Sequence, residues 1–283
     1  LLILLWLSVG RGLFPLGVLT RQLAARAPDT LAPLEVAQAP AEVRPMVSAL
    51  NDLMGRMAQT LERERRFTAD AAHELRTPLA AIKALLYVAR MAEGVQDRRT
   101  AMDQLQRGVE RAIRLVGQML ALARLDPQQA LPDALAVDLA TVAQAVCAEL
   151  APLALSRKQT LEMQVAPPLP PLLGNADMLF MLLSNLIDNA IRYTQEGGQI
   201  RVELQNQDNG LQIKIIDNGP GIAVAQRERV FDRFFRIAGQ NQPGTGLGLT
   251  ICKRIAELHQ ASIRVTDGAG GLGTCFCIHL RGA

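Results

Sequence analysis

A helical apolar pattern through most of residues 43–126 is the feature that most constrains the fold of this 283-residue chain. In residues 43–61, and in two stretches of residues 63–126, apolar side chains recur at steps of three and four, which places them along one face of a helix. Gly94 lies between the last two stretches and predicts a helical hairpin. An isolated hairpin cannot bury such faces, so we expect an all-α domain that dimerises into a four-helix bundle.

The pattern changes after a linker at residues 127–132, and residues 133–283 read as a mixture of helices and strands. Asn209 and Gly210 form a two-residue turn signal between two strand patterns, which predicts a β-hairpin. We therefore expect an α/β sandwich in which helices cover one face of a mixed sheet. The predicted helices span residues 139–155, 178–192 and 249–259, and the predicted strands span residues 160–165, 199–206, 211–216, 262–265 and 274–280.

Residues 1–9 are uniformly apolar, and basic residues follow at Arg11, Arg21 and Arg26. A membrane-spanning helix needs about 20 apolar residues, so we interpret residues 1–10 as the end of a truncated transmembrane helix. Basic residues after an apolar stretch mark the cytoplasmic flank, and the rest of the chain is expected on that side. The alternatives are a short buried helix and the apolar part of a signal peptide, although a signal peptide carries its positive charges first.

Charge and cysteine content argue against two classes of function. The net charge of +3 is small, and no Lys/Arg run is interleaved with aromatic residues, so direct nucleic-acid binding is not expected. The four cysteines form no CxxC pair and have no histidine cluster beside them, which argues against a zinc site. We interpret them as small apolar side chains in a reducing compartment. Cys275 and Cys277 would share one face of a strand, a geometry too constrained for an easy disulfide.

Residues 67–79 place a candidate nucleophile, His73, in a helical pattern. An imidazole offers an unprotonated nitrogen near neutral pH, and the adjacent Glu74 carboxylate can accept the proton of the other ring nitrogen. Pro78 follows Glu74 by four residues, where its ring clashes with the Glu74 carbonyl and predicts a bend beside His73. Taken alone, a histidine followed by a glutamate on a helix is more often a solvated surface pair.

Residues 67–79, which read FTADAAHELRTPL, resemble the H-box of bacterial two-component sensor histidine kinases almost position for position. The class expected is the one that partners OmpR-type response regulators. The resemblance implies that His73 is autophosphorylated, that Glu74 is the base, and that Thr77 places the attacking water in the reverse, phosphatase reaction. Residues 63–126 would then be the dimerisation and histidine phosphotransfer domain, called HisKA.

A second set of polar residues lies on the predicted helix at residues 178–192. Asn185 and Asn189 are four residues apart and therefore share one helix face. Their amide oxygens suit Mg²⁺, which prefers oxygen ligands completed by phosphates and water. Arg192 would lie within reach of phosphate oxygens, and Tyr193 could lie against an adenine ring. Without further context, an asparagine pair that caps a helix or faces solvent is the better interpretation.

Two glycine-rich segments complete the candidate site. In the first, Asp217 follows a strand and can accept a hydrogen bond from an adenine amino group, while Gly219 and Gly221 let the backbone approach a ligand. The same residues also suit a plain turn. The second segment opens a helix, where backbone amides and the helix dipole favour phosphate. A GxGxG motif alone is weak, and the sequence contains no GxxxxGK[ST] loop. This segment consists of Gly244, Thr245, Gly246, Leu247 and Gly248.

In this order, the three segments resemble the N, G1 and G2 boxes of the Bergerat, or GHKL, ATP-binding fold of histidine kinases, gyrase-type ATPases and Hsp90 chaperones. Residues 231–236 look like the kinase F-box, part of the mobile lid in that family, and residues 273–276 resemble its closing strand motif. The ATP-hydrolysing relatives carry a glutamate base where this chain has Asn185. The resemblance therefore implies phosphoryl transfer to a protein histidine rather than ATP hydrolysis.

Residues 11–62 resemble a HAMP signal-relay domain, with Pro15 early in the first helix and Glu42 opening the second. Together the resemblances imply a homodimeric kinase of the bacterial inner membrane that uses ATP and Mg²⁺ and passes phosphate to a response regulator receiver domain. The expected segments are a membrane-helix end at 1–10, a relay at 11–62, a phosphotransfer domain at 63–126 and a catalytic domain at 133–283. An ATP-driven clamp, a non-enzymatic scaffold and a phosphatase-dominant member remain alternatives.

Overall fold

The computed structural model describes Leu2, Ile3 and Ala32 and residues 43–125, 131–207, 210–237 and 244–281. Most of the predicted membrane-helix end and the first predicted helix of the relay, near Pro15, therefore lie outside the described residues. The chain divides into two compact units, Leu1–Val88 and Ala89–Ala283.

Helix α1, Arg44–Met91, is a single helix of 48 residues. It runs without a break through the boundary predicted between relay and phosphotransfer domains near residue 62. The residues around this boundary are mostly good helix formers with no Gly or Pro, so nothing in the local sequence ends the helix. An ion pair four residues apart, between Glu62 and Arg66 at 2.8 Å, lies at the same place. The helix also continues through Pro78, and the bend beside His73 stays a prediction.

Helix α2, Val95–Arg124, begins at the N-cap Gly94, so that both long helices of the predicted hairpin are present. One face of α2 is buried, at Ala101, Gly108, Leu115, Met119 and Leu122. A second apolar set on α2 is exposed to solvent, at Met102, Val109, Ile113, Val116 and Leu120. Helix α1 likewise exposes large apolar side chains, at Met46, Leu53, Met57, Leu79 and Leu86. These exposed faces are the ones that the sequence predicts to require a partner helix.

A five-stranded mixed sheet forms the centre of the second unit. All five predicted strands are confirmed, as β2 Thr160–Ala166, β4 Gln199–Gln207, β5 Gly210–Asp217, β6 Ser262–Asp267 and β7 Thr274–Arg281. Their order in the sheet is β2-β4-β5-β7-β6; strands β2 and β4 are parallel, and the other neighbours are antiparallel. Two short strands that were not predicted, β1 Leu135–Val137 and β3 Leu172–Gly174, pair separately. Three residues are too few to give a periodic signal.

Three helices cover one face of the sheet: α3 Leu139–Ser156, α4 Ala176–Tyr193 and α5 Gly248–Leu258. The sheet shows the alternation that one covered face requires, because Ile200, Val202 and Leu204 of β4 are buried and the residues between them are partly exposed. Helix α4 lies between α3 and α5 and contacts the sheet. Seven of its side chains are buried: Leu179, Leu182, Leu183, Leu186, Ile187, Ala190 and Ile191.

Within the described part of the chain, α3 is the one helix whose length and mean hydropathy would allow it to span a membrane. It packs against α4 and β2, which makes it a component of the sandwich. Its N-cap is Asp138, whose carboxylate accepts hydrogen bonds from the amide of Ala140 at 3.0 Å and the hydroxyl of Thr141 at 2.7 Å.

Candidate active site

An open cleft with about 570 Å³ of empty space lies in the second unit, between the C-terminal half of α4 and the loop after β5. Four residues that the sequence predicted as ligand-binding line it: Asn189, Tyr193, Asp217 and Gly221. The remaining lining residues are mainly apolar, and they include Ala190, Pro220, Ile222, Val230, Phe235, Ile237, Leu249 and Phe276. A mainly apolar cleft with a few convergent polar groups is typical of a site for an aromatic ligand.

Asp217 is the buried carboxylate of this cleft, with a side chain that is 5% exposed. Its Oδ1 atom accepts hydrogen bonds from the backbone amides of Gly219 at 2.9 Å and Thr274 at 3.1 Å. Burial raises the pKa of Asp217 above its usual value, and the two amide donors partly oppose that rise. The two amides hold the carboxyl group in one orientation at the end of β5, with Oδ1 already engaged.

Helix α4 positions the two asparagines and Tyr193. At its beginning, the Asn175 side chain accepts a hydrogen bond from the Met178 amide at 3.0 Å. At its end, the buried Gln159 amide donates to the carbonyls of Ile191 at 3.0 Å and Thr194 at 2.8 Å. These bonds satisfy C-terminal carbonyls that the helix leaves without partners, and they fix the turn that carries Tyr193.

Asn185 lies one helical turn before Asn189 on the same face of α4. Its Nδ2 atom donates to the carbonyl of Met181 at 2.9 Å, which directs Oδ1 away from the helix backbone. That oxygen lies 3.1 Å from the position that a Cβ would occupy at Gly248. The absence of a side chain at Gly248 therefore leaves room for the Asn185 amide beside the second glycine-rich segment.

Arg192 forms an ion pair within α4, with 2.6 Å between its Nε and Oδ2 of Asp188. Both side chains are about 30% exposed, so solvent screens the pair and its net contribution to stability is small. Arg192 is not among the residues that line the cleft. Contact with a phosphate would require its guanidinium to share or leave the Asp188 carboxylate.

The second glycine-rich segment is attached to the F-box-like residues by its backbone, since the amide of Phe234 donates to the carbonyl of Gly246 at 3.0 Å. Gly246 has a φ of +71°, and a Cβ there would lie 2.6 Å from the Phe234 carbonyl carbon. Leu247 is fully buried, so only its backbone can face a ligand. Gly244 lies near Tyr193, because a Cβ atom added at Gly244 would be 3.9 Å from the Tyr193 hydroxyl oxygen.

Thr245 makes the segment's link to helix α2. Its hydroxyl donates to Oε1 of Gln118 at 2.6 Å and accepts a hydrogen bond from the Leu247 amide at 3.3 Å. Gln118 could not be predicted from the sequence, because a glutamine on an amphipathic helix matches no motif. Thr274 and Phe276 were also missed as lining residues, although they belong to the strand motif at residues 273–276.

The candidate nucleophile lies in the other unit, on α1. His73 and Thr77 are exposed and Glu74 is half-buried. His73 and Thr77 are four residues apart and are therefore neighbours on one helix face. Solvent exposure of the imidazole suits a group that must meet other molecules or domains, whereas a structural histidine is typically buried and hydrogen-bonded.

Three family models match the chain. The histidine kinase-, DNA gyrase B- and HSP90-like ATPase matches residues 174–283. The His Kinase A phospho-acceptor domain matches residues 63–128, and the PhoQ-like sensor-protein HAMP domain matches residues 13–59. The first match contains the whole cleft, and the second contains His73, Glu74 and Thr77.

Two curated proteins that match almost the whole chain are also sensor proteins. Sensor protein kinase PmrB of Pseudomonas aeruginosa is 38% identical over 271 residues, which are 95% of this chain and 56% of PmrB. Sensor protein BasS of Escherichia coli is 33% identical over 273 residues, which are 94% of this chain and 72% of BasS. This chain thus spans between 56% and 72% of the length of these two curated relatives.

The fold is also similar to that of a solved structure, the histidine kinase AdeS of Acinetobacter baumannii. The TM-score is 0.61 at 24% sequence identity, and the match covers 74% of this chain and 97% of that one. This likeness concerns the fold, and it agrees with the sheet and helices described above. The family models and the two sensor proteins lead to one assignment. The chain belongs to the sensor histidine kinases of bacterial two-component systems.

Proposed function

We propose that this chain uses ATP to phosphorylate His73 and then passes the phosphoryl group to an aspartate of a response regulator receiver domain. The observation that carries the proposal is the combination of an exposed His73 in an H-box sequence with an open, mainly apolar cleft whose helix carries Asn185 in place of a hydrolytic glutamate. A carboxylate at that position would activate water. A neutral amide leaves the protein imidazole as the nucleophile.

The base of the nucleotide is assigned to the apolar part of the cleft. Oδ1 of Asp217 is held by two backbone amides, so Oδ2 is the atom that we assign to the adenine amino group. Tyr193 at the end of α4 and the apolar side chains Ile222 and Phe276 would lie against the ring. Gly219 and Gly221 keep this side of the cleft free of side chains.

The phosphates are assigned to the space beside the cleft, between α4 and the segment Gly244 to Gly248, which does not itself line the cleft. Asn189 lines the cleft and Asn185 directs its amide oxygen toward Gly248, so two neutral oxygens are available for Mg²⁺. One or two protein oxygens plus phosphate and water are the usual ligands of this ion. When bound, Mg²⁺ neutralises charge on the β- and γ-phosphates. Arg192 would add a positive charge beside them.

In the transfer step, a ring nitrogen of His73 forms a bond to the γ-phosphorus while the bond from that phosphorus to the bridging oxygen of ADP breaks. Glu74 accepts the proton from the other ring nitrogen, which keeps the imidazole nucleophilic. In the reverse reaction Thr77 would orient the water that removes phosphate from the receiver domain. Glu74 and Thr77 would then set the balance between kinase and phosphatase activity.

The exposed apolar faces of α1 and α2 support a homodimer, because each copy could cover the other's unpartnered side chains. The HAMP match at residues 13–59 supports a relay from a membrane helix, with residues 11–283 on the cytoplasmic side of the bacterial inner membrane. The names of two relatives, sensor protein kinase PmrB and sensor protein BasS, agree with such a role.

The test is incubation of the purified chain with γ-labelled ATP and Mg²⁺, followed by measurement of acid-labile label on the protein. We expect label on the wild type and on His279→Gln, which alters another exposed histidine, and none on His73→Gln. Label that persists on His73→Gln would refute the assignment. Release of free phosphate without protein label would favour an ATP-driven clamp. Nucleotide binding with neither product would favour a scaffold.

A further inference from the structure

Two thiols lie side by side on the outer face of the sheet, opposite the nucleotide cleft. Cys275 and Cys277 are alternate residues of β7, and their Sγ atoms are 3.4 Å apart. Phe276, between them, points to the helix-covered face and lines the cleft. Cys275 is 6% exposed, whereas Cys277 is half-buried and therefore accessible to a small molecule.

Charged residues on the neighbouring strands favour a thiolate at Cys277. Lys214 of β5 and Arg264 of β6 are its cross-strand partners, so a cationic residue lies in register on each side. The pKa of Cys277 is lowered to about 6, chiefly by the hydrogen bond with Cys275 and also by Thr266 and Lys214, while burial and Glu203 act in the opposite direction. The same contact and burial raise the pKa of Cys275, which therefore keeps its proton.

We propose that Cys277 is a site of oxidation by hydroperoxides and that Cys275 is the thiol that resolves it. The Cys277 thiolate attacks the terminal hydroxyl oxygen of the hydroperoxide and the O–O bond breaks, which forms a sulfenic acid. The hydroxide or alkoxide that is released takes a proton from solvent and leaves as water or an alcohol. The Cys275 sulfur then attacks the Cys277 sulfur, the S–O bond breaks, and the hydroxyl group leaves as water after taking the Cys275 proton. The two thiols are oxidised to a disulfide, and the peroxide is reduced by the same two electrons.

The other two cysteines lack this chemistry. Cys252 is fully buried and its pKa is raised by desolvation, so its thiol stays protonated. Cys147 is half-buried like Cys277, but burial raises its pKa and it has no second thiol in contact among the described residues. Cys147 is therefore the matched control within the chain.

The disulfide has a consequence for the cleft on the other face. Two residues of a strand span about 6.6 Å between Cα atoms, close to the upper limit of about 6.8 Å for a disulfide. This is the constraint that the sequence predicts for the pair, so a flat strand does not readily accommodate the disulfide, and closing the bond requires a shorter, bent strand at Phe276. The backbone amide of Thr274, the residue before Cys275, donates a hydrogen bond to Oδ1 of Asp217. Oxidation is expected to disturb the adenine end of the cleft and to weaken nucleotide binding.

Peptide mapping of the wild-type chain tests the modification without any variant. The reduced protein is treated with limiting hydrogen peroxide, alkylated and cleaved with trypsin, which releases residues 265–281 as one peptide with both thiols. We expect this peptide to be lighter by two hydrogen atoms and protected from alkylation, while Cys147 stays alkylatable. Full alkylation of residues 265–281 at a peroxide dose that oxidises Cys147 would overturn the proposal.

Variants then assign the two roles. Cys275→Ser should leave a sulfenic acid on Cys277 that a 1,3-diketone reagent traps, whereas Cys277→Ser should give no trapped product and Cys147→Ser should behave as wild type. Diketone trapping on Cys277→Ser equal to that on Cys275→Ser would contradict the assignment. Affinity for a fluorescent adenine nucleotide should fall by up to about tenfold on oxidation of the wild type, as for one displaced hydrogen bond. It should be unchanged in peroxide-treated Cys277→Ser.

Discussion

The Thr245 hydroxyl donates a hydrogen bond to Oε1 of Gln118 at 2.6 Å, across 127 residues of sequence. Gln118 lies on α2 and Thr245 in the glycine-rich segment before α5, so one helix of the phosphotransfer region holds the loop assigned to phosphate. The same loop is held on its other side by the bond from the Phe234 amide to the Gly246 carbonyl at 3.0 Å. Its conformation therefore depends on α2 as well as on its glycines.

We expect Gln118→Ala to loosen this loop, because it removes the acceptor of the Thr245 hydroxyl. Amide hydrogen exchange at residues 245–248 should become about fivefold faster, the equivalent of one net hydrogen bond of about 1 kcal/mol. Gln118→Glu keeps an acceptor and should preserve slow exchange. Gln104→Ala, an exposed glutamine on the same helix, is the control. Equal exchange rates in Gln118→Ala and Gln104→Ala would show that the contact does not order the loop.

Gly246→Ala should abolish nucleotide binding, whereas Gly270→Ala should leave it intact. Both glycines have left-handed backbone, with φ values of +71° and +69°, so both substitutions carry the same conformational cost of about 1 kcal/mol. Only at Gly246 would the new Cβ collide with the backbone of Phe234, while Gly270 has open space around it. Titration with a fluorescent adenine nucleotide separates the two effects. Similar losses in both variants would mean that backbone conformation alone is responsible.

Asp217→Asn should weaken adenine nucleotide binding by about 10- to 100-fold, the equivalent of a charge-assisted hydrogen bond of about 1.5–3 kcal/mol. The folded chain should remain as stable or become more so, because the variant no longer buries a charge and its amide oxygen can still accept from Gly219 and Thr274. Calorimetric titration and thermal unfolding measure the two quantities. Asp267→Asn, an exposed carboxylate on β6, is the control, and an equal loss of affinity there would refute the assignment.

The sequence predicted most of this architecture because its strong signals are local. Alternation and turn residues define the five long strands, and helical periodicity defines α3, α4 and α5 within a few residues. The boundary near residue 62 was predicted from a change of motif, and motif boundaries impose no break on a helix that has good helix formers on both sides. The pair β1 and β3 was missed because strands of three residues show no period.

The polar residues of the site could be predicted because they belong to sequence motifs. The residues that join the site only through packing could not. Asn189, Tyr193, Asp217 and Gly221 were named from sequence and line the cleft. The apolar residues that line the cleft were not predicted, since the sequence pattern of a buried Ile or Phe is the same in a core and in a binding site. Gln118 and Thr245 meet only through tertiary structure, and no spacing rule relates them.

The stability of the second unit should fall in mild acid because of His259, a buried histidine at the end of α5. Its Nε2 accepts a hydrogen bond from the backbone amide of Asn175 at 3.1 Å, and its Nδ1 atom is 2.8 Å from the Ile255 carbonyl oxygen, so the folded state holds a neutral ring. Burial accordingly lowers the pKa of His259 below its usual value. The unfolded chain then binds a proton more readily, and acid favours unfolding.

The free energy of unfolding should therefore be fully maintained above the unfolded-state pKa of about 6.5 and should decrease as the pH falls below it, by at most about 1.4 kcal/mol per pH unit. Urea unfolding between pH 7.5 and pH 5.5 measures this slope. His259→Gln can replace both hydrogen bonds without titrating, so it should flatten the slope even if it costs stability at pH 7.5. His279→Gln, on the exposed face of β7, should retain the wild-type slope. If His259→Gln keeps the wild-type slope, another group is responsible for the acid sensitivity.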